Sequence, residues 1–187
     1  MTAFVCLTPD SVSSLKKRAR LFHRITPSFL EVLSHDNNPE YRSWVARNIN
    51  LTFETAMRLS DDPDETVKVR LAKCTSFLEI VYKLSFDSIS DVRYAVANNK
   101  HTPSDILLRL VYDEKGYVSN HAIGNPNMPS NELEKLSDKV DPNLRFWVAG
   151  NPSTPISVLR KFLSDVDEYV RDRAAKILND RIDSERF

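Results

Sequence analysis

Apolar residues recur along this chain in short bursts, each too brief to make a long helix, and the bursts themselves repeat. The segments Arg42 to Asn48, Arg93 to Asn99, Ser119 to Asn125 and Arg145 to Asn151 align without gaps, and Lys68 to Cys74 and Arg171 to Ile177 share their register. Their last positions, 48, 74, 99, 125, 151 and 177, are spaced by 26, 25, 26, 26 and 26 residues. An apolar residue precedes each segment (Tyr41, Val67, Val92, Val118, Leu144, Val170), and an apolar pair such as Val45/Ala46, Leu71/Ala72 or Val148/Ala149 follows three and four positions into it. That spacing puts one apolar stripe on one face of a short helix. Small alanines in the stripe let neighbouring helices approach closely, so each unit buries its stripe only by stacking on the next.

Between these helices the punctuation is prolyl. Thr26-Pro27, Thr102-Pro103 and Thr154-Pro155 read as starts of a second helix per unit, with threonine capping and proline at the first helical position, where no amide is needed. Thr8-Pro9 looks like a further copy. Asn38-Pro39, Asp62-Pro63 and Asp141-Pro142 read as caps of the first helix type. Asn125-Pro126 and Asn151-Pro152 read as helix stops, the asparagine taking a left-handed conformation. The pattern predicts an all-α fold, an α-α superhelix of about seven two-helix repeats of 25–26 residues. The whole chain, 1–187, reads as one repeat domain: an N-terminal cap over 1–16, repeats over 17–178 and a polar C-terminal tail over 179–187.

A charge regularity accompanies the apolar one. An aspartate stands six residues before the basic position in Asp36/Arg42, Asp62/Lys68, Asp87/Arg93 and Asp165/Arg171; Asp113/Ser119 keeps only the acid, and Lys139 fills the slot before Arg145. Such a recurrence predicts a partly buried ladder in which the aspartate accepts amides and the arginine bonds across the turn. The combined pattern V-R-x-x-V-A-x-N-x-x-T-P-x-x-x-L-x-x-L-x-x-D resembles the variant leucine-rich repeat, and the Asp/Arg ladder is similar to that of HEAT repeats. The resemblance covers roughly 17–178. It implies a right-handed solenoid of paired helices, one of them often 3₁₀-like, and a role in binding other macromolecules. Variant leucine-rich repeat proteins can carry an N-terminal cysteine cluster for an iron-sulfur centre. Only Cys6 stands there in this chain, so that cofactor is not carried over.

Composition narrows the chemistry. Lys plus Arg and Asp plus Glu both number 26, so no global field favours nucleic acid or membrane. No stretch approaches the ~20 apolar residues of a membrane span and no signal peptide is apparent, which points to the cytoplasm. Cys6 and Cys74 lie far apart, and Cys74 is expected to pack near a helix end. His23, His35, His101 and His121 lack metal-ligand spacing, and three glycines cannot build a phosphate loop or a nucleophile elbow in standard form. No cofactor, metal or small-molecule substrate is predicted, and no enzyme activity. HEAT-like alkylpurine DNA glycosylases use a basic face with a carboxylate and tryptophans, but here the matching acid, Asp172, is distant from Trp44 in repeat count.

Where a frame repeats, function is sought at positions that vary. One, two and five residues after the basic position, the stripe helix carries Trp44, Arg47, Arg70, Lys73, Tyr94, Asn98, His121, Phe146, Trp147, Arg173 and Lys176. Stacked, these predict a ribbon with five basic residues against one acid, Asp172. Aromatic residues mixed with arginine suit protein hot spots and nucleic-acid grooves alike. The expected role is a non-catalytic scaffold for a macromolecular partner, a protein first and nucleic acid as the alternative.

Overall fold

A computed structural model of the chain describes residues 26–184; the cap predicted over 1–16, Cys6, His23 and residues 185–187 lie outside them. The described residues form twelve helices and no strand. Six helices of seven residues each alternate with longer ones: α1 (Pro27–Leu33), α3 (Phe53–Leu59), α5 (Leu78–Leu84), α7 (Ser104–Leu110), α9 (Ser130–Leu136) and α11 (Ile156–Phe162). The others are α2 (Pro39–Ala46), α4 (Glu65–Cys74), α6 (Ser90–Ala97), α8 (Gly116–Gly124), α10 (Pro142–Gly150) and α12 (Glu168–Ser184). Each even-numbered helix packs on the next even one, and each odd helix packs beside its even partner, giving two parallel layers.

Helices this short are marginal in isolation, so the core between the layers holds them. The even layer contributes Val67, Leu71, Val92, Val96, Val118, Ile123, Val148 and Val170, all fully buried. The odd layer contributes one apolar pair per helix, among them Leu30/Leu33, Val81/Leu84, Leu107/Leu110 and Leu159/Phe162. The molecule is thus an all-α solenoid, and its short second helices are α-helical throughout instead of 3₁₀-like.

Several local expectations change. Asn38 and Asp141 do cap α2 and α10, accepting the amides of Glu40 and Asn143. Asp62 does not cap α4; Asp64 does, through Thr66 N. Thr102 and Thr154 are buried and donate backward, to the carbonyls of Val96 and Val148, while Pro103 and Pro155 occupy the N-cap positions themselves. No non-glycine residue among those described has positive φ. Asn125 and Asn151 are extended at φ −69° and −77°, so their conservation of type within the chain has another cause. Cys74 closes α4 in an exposed position.

The other cause is a set of side-chain ladders that join units. The first runs forward in sequence. Arg42 donates to Asp62 at 2.7 and 2.8 Å, Lys68 to Asp87 at 2.6 Å, Arg93 to Asp113 at 2.6 and 3.0 Å, and Arg145 to Asp165 at 2.7 and 2.8 Å. Each arginine also reaches back to the carbonyl of its own unit's turn, as Arg93 does to Asp87 O at 2.9 Å. The rung therefore spans a unit boundary, whereas sequence spacing suggested the unit's own aspartate. The fourth unit explains its own exception: the partner slot of Ser119, twenty residues on, is Lys139, so both ends of this rung are replaced together. No buried acid is left unpaired, which would be the costly outcome.

The second ladder is asparagine. Asn99 Nδ2 donates to the carbonyls of Ala72 and Thr75, Asn125 to those of Ala97 and Asn99, and Asn151 to those of Ile123 and Asn125. Arg181, in the two turns by which α12 outruns the other even helices, continues it by donating to the carbonyls of Asn151, Pro152 and Thr154. The third ladder ties the odd layer: Arg58 reaches Ser34 O, Arg109 reaches Ser85 O, Lys83 pairs with Asp61, and Lys161 meets Ser137 and Asp138. Lys135, whose slot one unit back is Val111, turns to Glu132 of its own helix.

Candidate interaction surface

With the recurring polar residues assigned to ladders, the variable positions of the even helices remain, and they lie on that layer's outer face. The ribbon predicted from sequence resolves into two clusters and some separate side chains. Around α2 and α4, Trp44, Arg47 and Arg70 line a groove of about 370 Å³ together with Glu40, Asp64 and Thr66. Trp44 is half-buried, with Tyr41 6.4 Å away edge-on. From α6 to α12 runs a continuous contact chain across four units: Tyr94 to His121 at 4.6 Å, His121 to Trp147 at 4.9 Å, Trp147 to Phe146 at 6.4 Å, and the Arg173 guanidinium 4.6 Å over Phe146.

Two glycines make this chain possible. A Cβ on Gly124 would stand 3.2 Å from the Trp147 ring, and one on Gly150 would run into the guanidinium of Arg173. Absence of a side chain five positions after Ser119 and Arg145 is thus the space into which the next unit's aromatic or arginine leans. Tyr94, Phe146 and Trp147 also pack against the core, so they brace neighbouring units while showing one edge outward. Arg173 Nε is buried with no hydrogen-bond partner, held by the stack instead. Lys73, Asn98 and Lys176 are exposed and stand apart from both clusters, Asn98 donating to Tyr94 O within its own helix. Ala95, at the same slot as Trp44 and Trp147, is buried.

The electrostatics differ from the sequence expectation of a basic strip. Carboxylates of the first helical turns share the face: Glu40 and Asp64 line the groove that holds Arg47 and Arg70, and Glu65 and Asp91 line the next one. Sequence reasoning missed these acids and Tyr117. For Glu40, Asp91 and Tyr117 the available signal was the position two residues before the basic slot, which also varies between units and lies one turn below the ribbon: Glu40 beneath Trp44, Thr66 beneath Arg70, Tyr117 beneath His121. Tyr117 donates to Asp91 at 2.9 Å across the unit boundary, and His121 Nδ1 pairs with Tyr117 O at 2.9 Å, which fixes the proton on Nδ1 since a carbonyl only accepts.

Among the described residues no group of three or more His, Cys, Asp or Glu side chains is placed to hold a metal ion, and no helix is long and apolar enough to cross a membrane. Among the described residues, six successive two-helix units linked by recurring side-chain ladders decide the architecture. The chain is an α-solenoid repeat protein. No protein-family model and no curated protein matches this solenoid. Among solved structures, it is similar to a crystal structure of an engineered protein (TM-score 0.45, 16% identity, covering 80% of this chain and 94% of that one). It is also similar to a leucine-rich repeat variant with a novel repetitive structural motif (TM-score 0.35, 19% identity, 81% of each chain). A second engineered protein gives a TM-score of 0.37 at 16% identity over 92% of this chain and 50% of that one. At such scores the likeness is descriptive, and the repeat assignment stands on the solenoid's own helices and ladders.

Proposed function

We propose that this solenoid is a non-catalytic scaffold that binds a protein partner along the outer face of its even layer. One observation carries the reading: the residues that do not recur gather on that face, as an aromatic chain from Tyr94 to Arg173 beside a groove walled by Trp44, Arg47 and Arg70. Aromatic anchors and arginine are the residue types that dominate protein-interface energetics. A protein is preferred to nucleic acid because cations and carboxylates alternate here. A phosphate backbone following Arg47 and Arg70 would meet Glu40 and Asp64 in the same groove.

The reading takes 17–178 as the array that presents this face. Its test is a comparison of two surface variants that keep the wild-type melting point. Arg70→Glu/Lys73→Glu alters the proposed face, and Tyr112→Ser alters an exposed loop residue at the end of α7. The first is expected to weaken a bound protein partner by about tenfold, or about 1.4 kcal/mol, and the second to leave it unchanged. Equal effects of the two would contradict the proposal. A steep loss of oligonucleotide binding between low and high salt would instead favour the nucleic-acid alternative.

A further inference from the structure

We propose that the cleft between α4, α6 and α8 takes a lysine or arginine side chain of the partner polypeptide. This rests on the reading of the even face as the partner-binding surface and adds to it the chemistry of one contact. The cleft has a volume of about 590 Å³ and is walled by Glu65, Val69, Asp91, Tyr94, Tyr117 and His121. Two carboxylates belong to that lining and no lysine or arginine does. It therefore differs from the adjoining groove, where Arg47 and Arg70 offset Glu40 and Asp64.

The three rings and two acids come from different units, and the rings and Asp91 are held in place. Tyr117 is fixed at its hydroxyl by Asp91 and at its ring by Tyr94, 5.7 Å away at 60°. Tyr94 meets His121 edge-on at 4.6 Å and 71°, and His121 is pinned by the Tyr117 carbonyl. Aromatic faces attract a cation through their quadrupole, and the attraction grows as the cation is desolvated. The hydroxyl of Tyr117 uses one oxygen of Asp91, which leaves the second as an acceptor, and Glu65 is exposed at the start of α4. Half-buried Val69 supplies an apolar wall for the methylene stem that a long basic side chain carries.

An anion is the competing occupant, because α4, α6 and α8 all begin near this cleft and helix starts carry partial positive charge. The first turns of α4 and α6 already hold Glu65 and Asp91, so that field is met by the chain's own acids and an incoming anion would face them. The sum favours a cation with an apolar stem.

The test is a titration of the full chain with Nα-acetyl-lysine methylamide, followed by the ring signals of Tyr94, Tyr117 and His121 in NMR. Nα-acetyl-norleucine methylamide, which has an uncharged stem, and Nα-acetyl-glutamate methylamide serve as comparisons. Expected are saturable shifts with the lysine probe alone, and affinity lowered by about fivefold in Glu65→Gln/Asp91→Asn, within the range a lost ion contact gives. No saturable shift, an equal response to norleucine or glutamate, or indifference to the double variant would overturn the cleft's assignment. If the lysine probe fails while Arg70→Glu/Lys73→Glu still weakens a partner, the cleft assignment falls and the scaffold reading stands; if both fail, the face itself is wrong.

Discussion

At the scale of single residues, the recurring polar positions are explained by what they join. Arg93 is the clearest case, buried with its guanidinium bonded to Asp113 and to the carbonyls of Asp87 and Ser88. The Asp113 side chain is only 5% exposed, so removal of its partner leaves a desolvated carboxylate. Arg93→Ala is expected to lower stability by about 3 kcal/mol in chemical denaturation, and a near-wild-type midpoint would refute the buried rung. Sequence made the residue types of this rung legible and hid the pairing. Asp87 precedes Arg93 by six and Asp113 follows it by twenty, and both spacings recur, so periodicity alone cannot choose. The joint change at Ser119 and Lys139 was the readable clue, because it breaks both ends of one rung twenty residues apart. Asparagine was likewise legible as a fixed position and misread in mechanism, since Asn125 tolerates a left-handed turn as readily as it bonds Ala97 and Asn99 across a unit boundary.

At the scale of elements, the rungs fasten the turn before each even helix to the even helix one unit earlier. Their acid ends set how that fastening responds to pH. Burial opposes ionisation of Asp62 and Asp113, but the Arg42 and Arg93 bonds, the amides of Asp64 and Lys115 and the arginine charges outweigh it, so both carboxyls lie below the usual aspartate range. At Asp165 the Arg145 bond is the largest influence, acting against burial and with the Asp167 amide, and the direction is the same. A carboxyl depressed in the folded state stabilises fully above its unfolded value, about 3.9, and loses that contribution as pH falls through the folded value. Thermal melting is therefore expected to fall below about pH 4, and to fall less in Arg93→Met/Asp113→Asn, which removes one titrating rung. An acid limb identical in the two proteins would show that the rungs do not titrate on unfolding. The element boundaries were less legible than the elements. Spacing puts proline at the first helical position after Thr102 and Thr154, but each threonine is drawn back to the preceding helix's carbonyl, and proline becomes the cap.

At the scale of the whole molecule, the forward rungs and the odd-layer ties recur between the described units except at one junction. Between α7/α8 and α9/α10 the forward rung is absent and Lys135 turns away from Val111, so two of three ladders stop there together. The asparagine ladder, Ser153 to Pro126 O at 2.8 Å, and the His121–Trp147 contact carry that boundary. The aromatic chain of the even face crosses the molecule where its polar ladders are thinnest. That placement is not visible from sequence, because spacing sets the ribbon positions in one series and does not show which ones lean into a neighbour's glycine. If rungs run between successive units, one can be installed at this junction. A double-mutant cycle of Ser119→Arg and Lys139→Asp, measured by chemical denaturation, tests this most directly. Each single change is expected to be neutral or destabilising, and the pair to recover with a favourable coupling of about 1–3 kcal/mol; additive effects with no coupling would contradict an inter-unit ladder.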